Sequence, residues 1–396
     1  MAVLEKGAIG ISPPGALGVS LFYHLTRQLE RLDGSVCFFE RGGSTSAAAL
    51  REQGRILIAD ARQVHEVPIA PLFKPDLLTS YDAGWLPEIL LICPNPDQLL
   101  GAVTTGVELL ERIHERGELK ADSLPMPAMV LSSNGIYFQR LRQIFLEKLE
   151  EATLLGRLPD LWPDLMPRIV GRFLRGVTIQ TGLREGLGAA SLYRPGPRGI
   201  TRLAGGDAQV RERCCQVLVE HGGWFELAAH GSATRLEFDK AMVNLVTNLL
   251  GQLYAIDAVG RFSLLRVEQI MIAEHEAEIR ELTRHVFRVG QAVKVYGRLE
   301  DFGEAYEKVL ESCRLHATHV PSSLQWVGLN LRVGRLEPAL TPTETWLLDP
   351  LIRYARSAGL DETVQYFEAL KERLLRKLVM AGDASRSAAA SVERAG

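Results

Sequence analysis

One helical stripe carries the side chains best suited to proton transfer in this chain. Lys240, Asn244 and Asn248 are spaced four residues apart, which places them on one face of a helix. Apolar residues flank them, and burial lowers the pKa of a lysine toward the range in which it can donate a proton to a carbonyl oxygen. The two carboxamides can orient a polar substrate. A solvated helix face is the alternative explanation of this spacing.

A second group of residues has the pattern of a phosphate-binding loop. The strand-like residues 8–11 lead into the loop SPPGALG and then into a helix expected over about residues 15–32. Gly15 would let the backbone approach a pyrophosphate, and Gly18 would let the helix pack closely on the strand. Pro13, however, stands where G-x-G-x-x-G has its tight-turn glycine. The residues expected to face the phosphates are Gly15, Ala16, Leu17 and Gly18. A turn that binds no ligand is the alternative.

The end of the second predicted strand bears on which dinucleotide would bind. Glu40 and Arg41 follow the strand residues 36–39, about twenty residues beyond the loop, where dinucleotide folds place the residue that contacts the ribose. An acid there favours a free 2′-hydroxyl, whereas an arginine pairs with a 2′-phosphate. We favour Arg41 and therefore NADP, and Glu40 keeps NAD open. A solvated surface ion pair is the third explanation.

The secondary structure predicted around these residues indicates an α/β fold. Short apolar runs alternate with helical patterns through the first third of the chain, which predicts a mostly parallel, doubly wound sheet of the Rossmann type. Residues 158–206 are rich in Pro, Gly and Arg and predict loops with one or two strands. Helical spacing then predicts an all-α C-terminal region. The predicted domains are 1–230 and 231–380, followed by a flexible tail, 381–396.

Composition excludes several classes of protein. The 396 residues are 46% hydrophobic and 23% charged with a formal charge of −3, so the chain has enough apolar side chains for cores and no net positive field for nucleic acid or an anionic membrane. The N-terminus lacks the pattern of a secretion signal, which predicts a cytoplasmic protein. Polar residues interrupt the apolar stretch 241–260, so we expect a buried helix there, whose apolar flank packs against a second copy in a homodimer.

The order of several motifs resembles that of the ketopantoate reductases (2-dehydropantoate 2-reductases) and their relatives in the 6-phosphogluconate-dehydrogenase-like group. The resemblance spans most of residues 8–370. The motifs are, in chain order, PGALG, VCFFERG with ALREQG, LLICPN, SSNG, YRPGPRGITRLAGGD, DKAMVNLVTN, SSLQ and TETWLLDP.

This resemblance implies a role for each candidate residue. Lys240 would donate the proton to a 2-oxoacid substrate as the nicotinamide delivers hydride, and Glu344 would orient the lysine or the substrate hydroxyl. The substrate-binding residues would be Asn134, Asn244, Asn248 and Ser323, with Ser323 on a carboxylate. The NADP-binding residues would be Gly15, Ala16, Leu17, Gly18, Arg41 and Asn95. A turn at Asn134-Gly135, a helix cap at Ser323 and a favourable first-turn acid at Glu344 are the structural alternatives.

Two departures from the family pattern leave other functions open. Asn95 stands where these enzymes carry a lysine, and Pro13 replaces a glycine of the phosphate loop. A protein with the same fold that binds a nucleotide without catalysis, or a reductase of a different hydroxyacid, is consistent with both changes. Regions 155–200 and 326–342 look longer than usual. His316 and His319 lack the further ligands of a metal site, and none is predicted.

Overall fold

The fold is taken from a computed structural model that describes residues 3–40, 45–120, 123–186 and 191–393. The chain divides into two units, one made of Met1–Asn134 and Phe138–Ala233, the other of Gly135–Tyr137 and Thr234–Gly396. Residues 135–137 therefore group with the C-terminal residues, although they lie in the middle of the N-terminal part of the sequence.

The N-terminal unit contains all the named strands of the described residues. They are β1 (Val3–Ser12), β2 (Val36–Phe39), β3 (Arg55–Ala59), β4 (Val64–Pro68), β5 (Phe73–Lys74), β6 (Trp85–Ile92), β7 (Ala128–Leu131), β8 (Phe173–Thr178), β9 (Gly182–Glu185), β10 (Leu192–Pro195), β11 (Thr201–Ala204) and β12 (Phe225–Leu227). The larger sheet has the order β12-β11-β8-β7-β6-β1-β2-β5. Its pairs from β5 to β8 are all parallel, and only β11 runs antiparallel to its neighbour β8.

The helices of this unit alternate with the strands. They are α1 (Ala16–Leu25), α2 (Thr45–Gln53), α3 (Leu77–Asp82), α4 (Leu99–Glu115), α5 (Phe138–Leu154), α6 (Leu165–Gly171) and α7 (Ala208–Glu220). All four residues of β2 and of β7 are buried, as expected for parallel strands that are covered on both faces. The Rossmann-type α/β fold predicted from the alternation of apolar runs and helical patterns is confirmed.

Two local predictions in this unit were wrong. The first helix ends at Leu25 rather than near residue 32, because Arg27, Gln28 and Leu29 adopt positive φ angles that end an α-helix. Residues 158–206 hold α6 and four strands, not one or two. Two of these strands join β3 and β4 in a second sheet of order β4-β3-β10-β9. These strands are only four to six residues long. That is too short for an alternation of apolar and polar residues to be recognised in a segment rich in Gly, Pro and Arg.

The C-terminal unit is helical, as predicted. Its helices are α8 (Ala233–Asn244), α9 (Gly251–Ala255), α10 (Val267–Ile270), α11 (Glu276–Ala292), α12 (Phe302–Leu315), α13 (Ser322–Arg332), α14 (Pro342–Ser357) and α15 (Asp361–Glu393). A π-helical turn, Leu245–Leu250, joins α8 to α9. All six residues of that turn are buried, and its apolar side chains belong to the core of this unit.

The structure corrects one expectation about this unit. The apolar side chains of residues 241–256 are almost all buried in the unit's own core, so this helix does not present an apolar flank to a second copy. Within the predicted tail, α15 continues to Glu393, and the flexibility of residues 381–396 stays a prediction. The alanines of this tail are strong helix formers that extend a helix already held by packing, which composition alone did not reveal. No helix in the described part of the chain combines the length and apolar content needed to cross a membrane.

Candidate active site

The strand order places a topological switch point between β1 and β6. From β1 the chain moves to β2 and β5 on one side, and it returns to β6 on the other side of β1. Ser12 and Ile92 are paired at the carboxyl ends of these strands, and Cys93 N donates a hydrogen bond to Ser12 O at 2.7 Å. Ligands of open α/β sheets bind outside the carboxyl ends of the strands at such a point.

The predicted phosphate loop lies at this edge. Gly15 caps α1, and no side chain caps the helix. Within the described residues the N–H groups of Ala16, Leu17 and Gly18 have no hydrogen-bond partner, whereas Gly15 N–H donates to Pro13 O at 2.8 Å. The free N–H groups and the helix dipole together suit an anion such as a pyrophosphate. The carbonyl oxygen of Pro13 thus occupies the Gly15 N–H, and the N–H groups of the first helical residues remain available to a ligand.

The two loop glycines meet different surroundings. A Cβ on Gly18 would lie 2.4 Å from Pro13 O, so only glycine allows the helix to start this close to the strand. A Cβ on Gly15 would have no atom within 4 Å. The space beside Gly15 is therefore open, as a site that receives a phosphate group requires. The close packing at Gly18 and the open space beside Gly15 both fit a dinucleotide-binding loop.

The loop is held from behind by residues that sequence analysis did not identify. Tyr193 of β10 is buried and donates its hydroxyl proton to Pro14 O at 3.2 Å. Gly182 of β9 lies so close to Ala16 that a Cβ there would be 2.4 Å from its carbonyl oxygen. Both residues come from the segment predicted to be mostly loop, and no local pattern connects them with residue 14 or 16.

Glu40, Arg41 and Asn95 are the residues predicted to bear on the ribose and nicotinamide ends of a cofactor. Glu40 follows β2, and its carboxylate accepts a hydrogen bond from Arg51 at 2.7 Å. Arg41 lies outside the described residues, so the preference for NADP stays a prediction. Asn95 is exposed at the start of a short 3₁₀ helix after β6, and its side chain makes no capping hydrogen bond.

Asn134 follows β7 at the same edge of the sheet and is half-buried. The loop before it is fixed by the buried Arg175 of β8, whose guanidinium donates to Leu131 O and Ser133 O at 2.8 Å each. Gly135, with a φ of 127°, gives the turn that the Asn-Gly dipeptide indicates. Arg175 was not among the predicted site residues, because an arginine in a short strand is usually exposed.

In the helical unit, Lys240 and Asn244 lie one turn apart on α8. Lys240 is half-buried. Burial lowers its pKa to about 8, and the neighbouring Cys313 has the smaller, opposite effect of raising that pKa. No hydrogen bond or ion pair joins its ammonium group to any described residue. Asn244 is 5% exposed, and its carboxamide nitrogen is buried without a hydrogen-bond partner.

Asn248 departs from the simple stripe that its spacing predicts. It lies in the π-helical turn, where hydrogen bonds span five residues instead of four. Its side-chain oxygen accepts hydrogen bonds from the Ser323 N–H at 3.1 Å and the Ser322 hydroxyl at 3.4 Å. Asn248 therefore caps the start of α13 and positions Ser323, which is also buried.

Glu344 lies in the first turn of α14 and is 1% exposed. Its Oε1 accepts a hydrogen bond from Ser323 Oγ at 2.5 Å, and its Oε2 accepts one from the hydroxyl of Thr341. Burial raises its pKa to about 7, while the hydrogen bond from Ser323 acts in the opposite direction. The structure thus brings together Asn248, Ser323 and Glu344, three residues whose grouping was predicted only by resemblance.

Two further residues of this cluster were missed, although the sequence carries a signal for each. Thr341 and Glu344 form the T-x-x-E pattern that precedes a helix. Gln252 follows Asn248 by four residues, and its carboxamide nitrogen donates to Asn248 O at 3.1 Å. Gln252 is buried and its Oε1 has no hydrogen-bond partner. The buried polar cluster therefore extends past the π-helical turn to Gln252 of α9.

No model of a known protein family matches the sequence, and no curated protein has a significantly similar sequence. Solved structures do match. D-mandelate dehydrogenase, solved with NADH and anilino(oxo)acetate, is 16% identical, with a TM-score of 0.60 over 96% of this chain and 99% of that one. The 2-dehydropantoate 2-reductase of Porphyromonas gingivalis W83 is 15% identical, with a TM-score of 0.55 over 94% and 99%. A dimeric ketopantoate reductase of Staphylococcus aureus is 13% identical, with a TM-score of 0.51 over 93% and 99%.

Each similarity extends over nearly the full length of both chains compared. Together they define the class of fold, which is a Rossmann-type N-terminal unit followed by a helical unit. Within that class, the fold is the one found in the ketopantoate reductases and in D-mandelate dehydrogenase. The resemblance predicted from the order of the motifs is therefore confirmed at the level of the fold.

Proposed function

We propose that this protein is a nicotinamide-dependent reductase of 2-oxoacids, of the ketopantoate reductase type, with Lys240 as the proton donor. The observation that carries the proposal is the pair of unpartnered donors on α8. The Asn244 carboxamide nitrogen is buried without an acceptor, and no described residue pairs with the ammonium group of Lys240. A buried donor without an acceptor is costly, so this arrangement favours an external ligand that supplies oxygen atoms.

The cofactor would be held by the first unit. The N–H groups of Ala16, Leu17 and Gly18 would bind the pyrophosphate beside the open face of Gly15. When bound, the nicotinamide supplies the hydride that reduces the ketone carbon. Asn95 would lie near this cofactor without the positive charge that a lysine would bring.

The chain's own residues would bind the 2-oxoacid and move the proton. Lys240 donates its proton to the ketone oxygen, and a pKa of about 8 keeps most of it protonated near neutral pH. Asn134 and Asn244 donate hydrogen bonds to the substrate. Ser323 binds the carboxylate, while Glu344 and Asn248 position Ser323 through the hydrogen bonds described above. We also propose a homodimer, in line with the dimeric enzyme of Staphylococcus aureus, which light scattering in solution would test.

The decisive experiment joins cofactor binding with turnover. Calorimetric titrations with NADH and with NADPH come first, followed by a loss-of-absorbance assay of the reduced cofactor with 2-oxopantoate and with benzoylformate. We expect at least one cofactor to bind and at least one of these 2-oxoacids to be reduced. Binding of neither cofactor at high micromolar concentration would reject the proposal.

A second function, nucleotide binding without catalysis, is favoured by one observation. Asn95 is uncharged and exposed where the enzymes that the sequence resembles carry a lysine, so a positive charge near the reacting groups is missing, while the free N–H groups of Ala16, Leu17 and Gly18 remain available to a nucleotide. Under this alternative a reduced cofactor binds, but no 2-oxoacid in a broad panel is turned over. A reductase of another hydroxyacid would instead turn over a member of that panel other than 2-oxopantoate.

A further inference from the structure

We propose that a cavity in the helical unit receives the side chain of the substrate, and that the preferred substrate is a 2-oxoacid with an extended apolar side chain that ends in an uncharged oxygen group. The inference rests on the proposed function and narrows its class of substrate. In this arrangement the ketone lies at Lys240 and the side chain extends along α12. Compact 2-oxoacids such as 2-oxopantoate would then be the poorer substrates.

The cavity lies among α10, α11, α12 and the residues that follow α10, and its volume is about 440 Å³. Sites for small molecules usually measure roughly 300 to 1,000 Å³ and are mostly apolar. The uncharged side chains on its walls include those of Met271, Ile279, Leu310, Cys313 and Ala317. An apolar chain therefore gains free energy when it leaves water for this cavity.

One face of α12 forms a wall of this cavity. Tyr306, Leu310 and Cys313 all line it, and their spacing along the helix places them on one face. At about 1.5 Å per residue, this wall extends about 10 Å from Tyr306 to Cys313. Across from it, Glu268 N donates a hydrogen bond to Ala317 O at 2.9 Å, which ties α10 to the segment after α12. A compact group would cover only part of a wall of this length.

The Cys313 end of the wall is next to the proposed proton donor. Cys313 is buried, and its thiol neighbours the ammonium group of Lys240, since each group affects the pKa of the other. Burial raises the pKa of Cys313 to about 12, so the thiol is uncharged near neutral pH. An apolar chain can therefore contact this thiol without meeting a charge. A substrate whose ketone lies at Lys240 has the cavity beside it.

Tyr306, at the other end of the wall, carries a polar group without a partner. The residue is 2% exposed, and its hydroxyl is buried with no hydrogen-bond partner in the part of the chain that the structure describes. The ring is covered by Arg280, whose guanidinium carbon lies 5.0 Å from the ring centroid. Burial raises the pKa of Tyr306, so the hydroxyl keeps its proton. A buried donor without an acceptor is costly, which favours a substrate side chain that ends in an oxygen atom.

The charges around the cavity favour an uncharged oxygen group over a carboxylate. The charged residues among its described lining residues are Glu268, Glu276 and Arg314, and all three are exposed. Arg314 already lies 4.0 Å from the carboxylate of Glu307. The acids outnumber the base, so a second carboxylate on the substrate would be repelled. A hydroxyl or an ether oxygen would accept the Tyr306 proton without that cost.

Steady-state kinetics of the full chain with 2-oxobutyrate, 2-oxohexanoate and 2-oxooctanoate test the preference for an extended chain. We expect the kcat/KM of wild type to rise at least about tenfold from the shortest acid to the longest, because each fully buried methylene group is worth about fourfold. A wild-type kcat/KM that is equal for the three acids, or highest for 2-oxobutyrate, overturns the inference and leaves the reductase proposal standing. Reduction of no 2-oxoacid overturns both.

A substitution inside the cavity tests where the chain binds. Leu310→Trp fills part of the cavity, and it should lower kcat/KM for 2-oxooctanoate at least about tenfold more than for 2-oxobutyrate. Leu315→Trp is the matched control, since it adds the same side chain to the same helix at a position that is 77% exposed. It should keep the preference of wild type. Equal effects of the two substitutions would place the chain outside the cavity. The comparison of chain lengths in wild type does not depend on whether the Leu310 variant folds.

A hydroxylated substrate tests the role of Tyr306. In wild type the KM for 8-hydroxy-2-oxooctanoate should be about fivefold lower than that for 2-oxooctanoate, the size of one neutral hydrogen bond. Tyr306→Phe keeps the ring and removes the donor, so the two KM values should become equal. A difference that persists in Tyr306→Phe, or equal KM values in wild type, would overturn the assignment of the terminal oxygen to Tyr306.

Discussion

Ser323 Oγ donates a hydrogen bond to Glu344 Oε1 at 2.5 Å, and both side chains are buried. A hydroxyl has one proton to donate. While Ser323 gives that proton to an ionised Glu344, it has none for the carboxylate of a substrate. When Glu344 is protonated, it can itself donate to Ser323 Oγ, and the serine proton becomes available. Burial raises the pKa of Glu344 to about 7, so this exchange falls near neutral pH.

The exchange predicts that substrate affinity depends on the protonation of Glu344. In wild type the KM for an accepted 2-oxoacid should rise by about tenfold as the pH passes from below 7 to above it. Glu344→Gln supplies a carboxamide N–H that donates to Ser323 at every pH, so its KM should stay flat. Steady-state kinetics across this range measure the effect.

The matched control for this experiment is Glu337→Gln, which changes an exposed acid near the start of α14. This variant should keep the KM profile of wild type. A wild-type KM that does not change with pH on either side of 7 would contradict the proposed exchange.

The second prediction concerns the proton donor. Lys240→Ala should lower turnover by about 10²- to 10⁴-fold, the usual contribution of one positioned general acid. Cofactor affinity should change little, because the phosphate loop belongs to the other unit. Turnover and a calorimetric titration, with Lys308→Ala as an exposed control on α12, provide the measurement. Full turnover in Lys240→Ala would remove this lysine from the mechanism.

The direction of the reaction should determine the pH profile of wild type. Burial lowers the pKa of Lys240 to about 8. Reduction needs the protonated lysine, so its kcat should fall as the pH rises above 8, by about tenfold per pH unit. Oxidation of the hydroxyacid needs the neutral amine, so its kcat should rise through the same pH. Profiles that change in the same sense for both directions would show that another group is titrating.

The two loop glycines separate folding from cofactor binding. Gly18→Ala places a Cβ 2.4 Å from Pro13 O, so the helix start must shift, and we expect a destabilisation of about 1 to 3 kcal/mol. Gly15→Ala meets no atom within 4 Å and keeps a φ of −83° that alanine adopts readily. Its melting temperature should match wild type while its affinity for the cofactor falls. Equal cofactor affinity in Gly15→Ala and wild type would place the phosphates elsewhere.

Local patterns in the sequence were sufficient for the fold class. Apolar runs bounded by turns predicted β2 at its observed residues, 36–39, and helical spacing predicted the second unit, because these periods are properties of neighbouring residues. Where short strands or a π-helical turn interrupted the period, at residues 158–206 and 245–250, the prediction was wrong or incomplete.

Residue spacing was enough to show which side chains share one helix face or one loop, as for Lys240 with Asn244 and for Gly15 with Gly18. The contact of Asn248 with Ser323, 75 residues away, and that of Ser323 with Glu344, 21 residues further on, arise only when the chain folds. The same is true of the hydrogen bond by which Tyr193 holds the proline loop from 179 residues away. Such contacts depend on how whole helices and strands pack, and residue spacing along the chain carries no information about that packing.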